Sequence, residues 1–292
     1  MSRVTDLFVH PLKGAAPQRV QRLRIDALGA VGDRRWVLVD AHGTQLTARE
    51  VPRLLHVEAT VPIADGAVMA DAPLALRVRD TADASPSLFV AHGGDDAPRR
   101  EVRVWDDVVS LVDAGDTAAE WCSDAVGVSC RLMHWAHDSR RPLRAKYAGP
   151  LATTGRDVTV TDGAPLLLLG AASLDELNGR LTANGSAALP IARFRPNVVL
   201  ATHASHEEDR WSLVRVGSVR LGVGSACPRC VVTTIHPETL ARDVEPLRTL
   251  ATYRRGAEGS VLFGVNASAD GPGEIAVGDD VTVLALKEHA GG

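Results

Sequence analysis

The strongest constraint on this chain is the spacing of its apolar runs. Val- and Leu-rich segments of roughly four to eight residues recur along it, each closed by Gly, Asp, Asn or Pro. Such runs are too short for buried helices, and no regular alternation with long amphipathic segments suggests a parallel βαβ sheet. In the first third, residues 3–9, 36–40, 54–61, 74–79 and 102–112 read as strands. In the last third, 197–201, 211–216, 219–223, 231–235, 260–266 and 280–286 do so, with Gly217-Ser218 as a hairpin turn. Helical signals are few. Residues 116–126 open on Asp116 as a cap, Ser173 and Glu176 have capping-box spacing, and 245–254 carry Pro246 in the first turn. The expected fold is mainly β with a few short helices, built from barrels. A composition shift near Ala114 divides it into units 1–115 and 116–292.

The bulk properties narrow the function classes. A chain of 292 residues, 45% hydrophobic and 23% charged, can build its core without disulfides. Net charge −4 argues against a broad nucleic-acid face. No run approaches the roughly 20 apolar residues of a membrane helix, and residues 1–14 lack the apolar core of a secretory signal. The expectation is a cytoplasmic protein that binds neither nucleic acid nor membrane.

Of the four cysteines, Cys122 and Cys130 read as packing residues, whereas Cys227-Pro228-Arg229-Cys230 forms a C-x-x-C pair. A thioredoxin-like dithiol wants this pair at a helix N-terminus, and strand-like residues follow it instead. Structural zinc wants four ligands, and the pair supplies two; His134 and His137 lie far back in sequence. Ligation of a thiophilic metal by one thiolate, with Arg229 beside it, is the third reading, and simple packing of both cysteines the fourth. Basic residues cluster at likely strand ends: Lys13-Gly14, Arg34-Arg35, Arg193 and Arg195, Arg229, and Arg254-Arg255. In an acidic chain they suit an anionic ligand, since guanidinium forks match phosphate oxygens, while surface pairs such as Asp33 with Arg35 are the plainer alternative. Gly14 permits close backbone approach.

An ordered series of short motifs spans nearly the whole chain: 9–14 (VHPLKG), 32–36 (GDRRW), 46–49 (LTAR), 172–178 (ASLDELN), 193–197 (RFRPN), 227–234 (CPRCVVTT), Tyr253-Arg254 and 263–266 (FGVN). Together they resemble the MOSC superfamily, named for the C-terminal domain of molybdenum cofactor sulfurase, and within it the bacterial MOSC-domain reductases and the mitochondrial amidoxime-reducing component. The resemblance implies an N-terminal β-barrel-like MOSC domain followed by a MOSC β-barrel, with a molybdenum-molybdopterin cofactor (Moco) between them. It assigns Cys230 as metal ligand and catalytic thiolate. Lys13, Gly14, Arg34, Arg195, Asn197, Arg229 and Tyr253 become cofactor-binding residues. It also implies reduction of N-hydroxylated small molecules, with electrons from separate proteins, a ferredoxin or a cytochrome b5-like protein with its reductase. A carrier of the cofactor, or of persulfide sulfur on Cys230, is the alternative. This chain departs from the pattern at Gly14, where relatives often carry Ser, and at Pro228. It departs again at His236 to Leu240, where an Asp-Pro-x-Thr-Gly run is common. His236 is thereby a candidate proton donor or a turn-shaping residue.

Overall fold

The structure, a computed structural model, describes residues 2–70, 72–79, 87–94, 96–151 and 155–288. It is mainly β with four short α-helices among these residues, as the strand pattern implies. Seven strands form a closed barrel: Leu166–Gly170, Val198–Ala201, Trp211–Val216, Val219–Pro228, Leu262–Ala269, Asp280–Leu286 and Ser2–Val9. The first strand of the chain closes it, pairing antiparallel with Val198–Ala201 on one edge and, through Ser2 and Arg3, with Asp280–Leu286 on the other. One pairing is parallel, Leu166–Gly170 with Val198–Ala201, and the helix Ala171–Ala183 lies in the connection between them. A parallel return needs such a crossover, whereas the antiparallel Trp211–Val216 and Val219–Pro228 join through the Gly217-Ser218 turn.

Strand alternation sorts the side chains. Leu166 and Leu168 join Leu7, Val9, Leu200, Val214, Leu221 and Val265 in the main core. Leu169 points the other way, into an outer cluster with Leu177 and Leu181 of the crossover helix, Phe194 and Phe263. Both faces of that strand are therefore buried, which explains its uninterrupted Leu run. The N-terminal part contributes a four-stranded antiparallel sheet, Arg99–Val104, Asp107–Asp113, Arg131–His134 and Trp36–Val39, and a three-stranded one, Leu88–Val90, Leu74–Val78 and Val57–Thr60. The helix Asp116–Val126 buries Ala118, Cys122, Ala125 and Val126, and Cys130 is buried too, so the two cysteines pack. Burial raises both thiols above their ordinary range.

Several local expectations are corrected. The single strand expected over 102–112 is a hairpin that reverses at Trp105-Asp106, where Trp105 takes a left-handed φ of 58° without a glycine to announce it. The first part of 54–61 belongs to the 3-10 turn Pro52–His56. The β-branched run after Cys230 is a 3-10 turn, Val231–Thr234, because the Cys230 carbonyl accepts from both the Thr233 amide (3.1 Å) and its hydroxyl (2.9 Å). Ser173 and Glu176 do not form a capping box. Ser173 Oγ donates to Glu208 (2.8 Å), and Glu176 pairs with Arg180. Asp116 caps nothing; Gly115 precedes the helix, and Asp113 accepts its amide (2.9 Å). The last helix is only Leu247–Ala251, since the Glu245 carboxylate accepts the Thr249 amide from outside it (3.0 Å). Arg35 pairs with Asp26 (2.7 Å) and leaves Asp33 to Arg34 (2.5 Å).

Candidate functional site: a cation-lined cleft with two thiols

Lys13 is fixed where the first barrel strand runs on into the N-terminal part. Its amide donates to the Trp36 carbonyl (2.9 Å), and Gly14 then turns with φ 85°, a conformation that a side chain would strain. The Lys13 ammonium is buried and donates to the Val160 carbonyl (2.8 Å) and Asp162 (2.6 Å). Burial, with Arg141 and Arg34 nearby, lowers its pKa to about 8 although Asp162 pulls the other way. Desolvation by the surrounding walls would raise the Asp162 pKa, but the side chain itself is exposed, and the contact with Lys13, with Arg34 and Arg195 nearby, holds it below the usual carboxylate range.

Arg34 and Arg195 stand together. Both have left-handed backbones, φ 48° and 55°. Arg34 is held by Asp33 and reaches the Arg195 carbonyl (3.3 Å). Arg195 donates one Nη to the Ala15 carbonyl (2.6 Å), while its other Nη is buried without a partner among the described residues. Burial and Arg34 lower the Arg195 pKa to about 10. His10 beneath them is fully buried. Burial first, then Arg34 and Arg195, push its pKa far below the ordinary value, so it is a neutral imidazole bonded to the Pro196 carbonyl (3.2 Å).

Asn197 is 1% exposed and joins four groups. Its amide donates to the Phe8 carbonyl (3.2 Å) and Asp33 (3.0 Å), and its oxygen accepts from the Leu167 amide (3.1 Å) and, at 3.4 Å, from Arg34. The Asp33 oxygen it contacts also accepts the His10 amide (2.8 Å). Asn197 thus ties two barrel strands to the turn carrying Arg34.

The cysteine pair forms the facing wall. Cys227 ends a barrel strand and Cys230 precedes a 3-10 turn, so neither sits at an α-helix N-terminus. Arg229 donates to the Phe194 carbonyl (2.5 Å) and lies 3.0 Å from Cys227 Sγ, with its Nε buried and unpartnered among the described residues. Among the described residues, no group of three or more His, Cys, Asp or Glu side chains stands together as a metal cage.

These residues share one cleft of about 490 Å³ between the barrel and the N-terminal sheets. Lys13, Gly14, Arg34, Arg195, Asn197, Arg229 and Cys230 all line it. Tyr253 does not. Its ring lies under the Arg180 guanidinium (3.9 Å) and beside His206 (5.9 Å) in the outer cluster, and burial raises its pKa to about 12. His236 is also outside the lining, where its Nδ1 accepts the amides of Glu238 (3.3 Å) and Thr239 (3.4 Å) and shapes a turn. Sequence reasoning missed Asp162, whose one signal was the Asp-Gly turn it opens. It also missed Arg141, which closes the cleft floor by donating to the Thr159 (2.8 Å) and Thr161 (2.7 Å) carbonyls.

A cleft beside a closed β-barrel that holds two half-buried thiols, Cys227 and Cys230, with Lys13, Arg34, Arg195 and Arg229 has the chemistry to take an anionic, thiophilic ligand. The chain belongs to the MOSC family: residues 1–129 match the MOSC N-terminal beta barrel domain and residues 155–282 the MOSC domain. It is 32% identical to mitochondrial amidoxime-reducing component 1 of Mus musculus, over 96% of this chain and 82% of that protein. With the protein of the same name from Homo sapiens it shares 30% identity over the same shares. Molybdenum cofactor sulfurase of Solanum lycopersicum is 27% identical over 95% of this chain but only 35% of its own length.

Proposed function

We propose that this chain is a molybdenum-cofactor-dependent oxidoreductase that reduces N-hydroxylated small molecules, cleaving N–O with two electrons and two protons and releasing water. The observation that carries this reading is the convergence of Cys230 with Lys13, Arg34, Arg195 and Arg229 in one cleft. The donor set fits a phosphate-bearing pterin. The buried Nη of Arg195 and Nε of Arg229 lack partners among the described residues, and unpaired buried donors are costly unless a ligand meets them. Lys13, Arg34, Arg195 and Arg229 would hold the anionic part, Gly14 would let it approach the backbone, and Cys230 would ligate the metal. The cofactor, when bound, supplies the oxygen-atom and electron exchange. The protein's share is placement, a fixed positive field and a cleft open on one side for substrate. Asn197 acts through Arg34. The names of the amidoxime-reducing relatives support the substrate class.

Electrons come from separate proteins, a ferredoxin or a cytochrome b5-like protein with its reductase, and the setting we propose is cytoplasmic. No helix among the described residues is long and apolar enough to cross a membrane. The second reading, a carrier of cofactor or of persulfide sulfur on Cys230, draws on the sulfurase relative. The test is the metal and pterin content of the purified protein, followed by reduction of benzamidoxime or hydroxylamine by protein loaded with electrons from a reduced viologen. Stoichiometric molybdenum and pterin with turnover support the enzyme. Bound cofactor without turnover supports the carrier, and absence of both metal and pterin from a cofactor-producing host refutes the site.

A further inference from the structure

Arg193 stands among the anion-binding arginines in the sequence, and it too lines the cleft. One of its Nη groups is committed to the protein, while its Nε is buried without a partner among the described residues. That Nη donates to two backbone carbonyls, Ile235 (2.6 Å) and Thr233 (3.3 Å), at the far end of the 3-10 turn that follows Cys230. From the opposite direction Arg229, the neighbour of Cys230, donates to the carbonyl of Phe194, the neighbour of Arg193. Two short turns, Ile191–Phe194 and Val231–Thr234, are therefore clasped reciprocally, with Cys230 between the two attachment points.

The turn gains this clasp in addition to other holds, since Thr233 and Thr234 are buried and the Thr234 carbonyl accepts the Asp243 amide (3.1 Å). It is four residues long, Val231 is exposed, and its internal bonds are 3-10 bonds of poorer geometry than those of an α-helix. The Ile235 side chain is fully buried and anchors one end. The carbonyls of Thr233 and Ile235, on either side of the one held by Asp243, are met by Arg193. An arginine suits the task because its charge strengthens a bond to a carbonyl and its planar fork loses little freedom in making it.

We propose that Arg193 is a positioning residue. It fixes the 230–235 turn so that the Cys230 thiol stays aimed into the cleft, and it does so through backbone carbonyls without touching a ligand. The proposal deepens the reading of Cys230 as the metal-binding thiolate and rests on it for its functional meaning, while the clasp itself can be judged without any metal.

The test compares the full-length parent with Arg193→Gln and Arg193→Lys, all made in a host unable to synthesise the cofactor. The rate of alkylation of Cys230 by iodoacetamide is read by peptide mass, and hydrogen exchange is followed over the peptide 229–236. Gln cannot reach the carbonyls, so alkylation should rise about fivefold with faster exchange confined to that peptide. Lys retains a donor on a less rigid stem and should rise about twofold to threefold. If Gln fails to fold, the Lys variant alone carries the test, and a rate matching the parent overturns the clasp. Matching rates in both variants, or faster exchange across the barrel strands as a whole, overturn it equally. In a second arm the same three proteins come from a cofactor-producing host, and molybdenum kept through dialysis is measured. A parent without molybdenum sinks the metal reading of Cys230 and leaves the alkylation result for Arg193 standing. Variants that alkylate faster yet keep molybdenum like the parent overturn the positioning role.

Discussion

Replacing Asn197 with Ala separates two roles that the sequence could not. Were Asn197 mainly a cofactor ligand, its loss would weaken ligand retention and leave the empty protein intact. The structure assigns it to the scaffold instead. In the alanine variant the Leu167 amide loses its 3.1 Å acceptor in a buried setting, which costs about 1–3 kcal/mol. The bonds to Phe8 and Asp33 disappear as well, at about 1 kcal/mol each, since both acceptors lie on residues that keep other bonds. The long 3.4 Å contact with Arg34 adds little. The total is about 3–5 kcal/mol, which for a chain of this size lowers the melting temperature by about 10 °C. Thermal and urea denaturation of cofactor-free protein measure it directly. A loss below about 1 kcal/mol would refute the linking role. Asn197→Asp should be worse than Ala at neutral pH, because it sets a second carboxylate about 3.0 Å from that of Asp33, and it should recover partly in acid.

Lys13 should carry its positive charge below about pH 8 and lose it above, where an ordinary lysine holds its proton to 10.5. Calorimetric binding of pyrophosphate to the empty cleft should therefore weaken as pH rises through 8, and Lys13→Arg should move that fall upward. At this residue the unfolded chain binds the extra proton between those two values, so folding stability itself rises with pH across the window. Glu208 has the opposite sign. Burial raises its carboxyl above the ordinary value of 4.5, so its contribution to stability is full below 4.5 and is lost as pH rises through the folded value. Glu208→Gln, which keeps an acceptor for the Gly170 amide and Ser173 hydroxyl, should remove that slope from denaturation curves taken across the range. Tyr253→Phe should leave molybdenum retention unchanged and stability within about 1 kcal/mol of the parent, because the lost hydroxyl has no partner among the described residues; a cofactor-free product would restore Tyr253 to the site. Cys230→Ser should abolish molybdenum retention while Cys227→Ser only reduces it, and equal behaviour of the two would undo the ligand assignment.

Legibility in the sequence followed the range of the interactions. The strands Ser2–Val9 and Trp211–Val216, and the turn after the latter, declare themselves through alternation and Gly217, because the cause is local. The turn after Cys230 is set by the bonds of Thr233 to the Cys230 carbonyl and braced by Arg193 on carbonyls some 40 residues away, and a β-branched run announces neither. The Ser173 hydroxyl is diverted from its helix by Glu208, 35 residues on. Trp105 turns a hairpin in a left-handed backbone without glycine, so the pattern showed one strand where there are two. At the site, the cations were visible because Lys and Arg at strand ends are conspicuous in an acidic chain. Their carboxylate and carbonyl partners, Asp162 above all, were not, since pairing is decided by the fold. Tyr253 was placed by resemblance of motif, and the packing of its ring on Arg180 moved it elsewhere.

The seam of the barrel bears on how the molecule is made. Ser2 lies opposite Val281, so the first strand waits for partners that leave the ribosome much later. Closing so large a loop is slow compared with local pairing. In the interval a lone strand with Leu7, Phe8 and Val9 at its end invites pairing with other nascent chains. The short Gln18–Val20 strand meets that hazard, since it pairs with Leu7, Phe8 and Val9 within the first 20 residues and shields that stretch from the outset. The barrel then needs only to dock a strand already held in the extended form, and the cleft, whose lysine follows that strand directly, is assembled in the same late event.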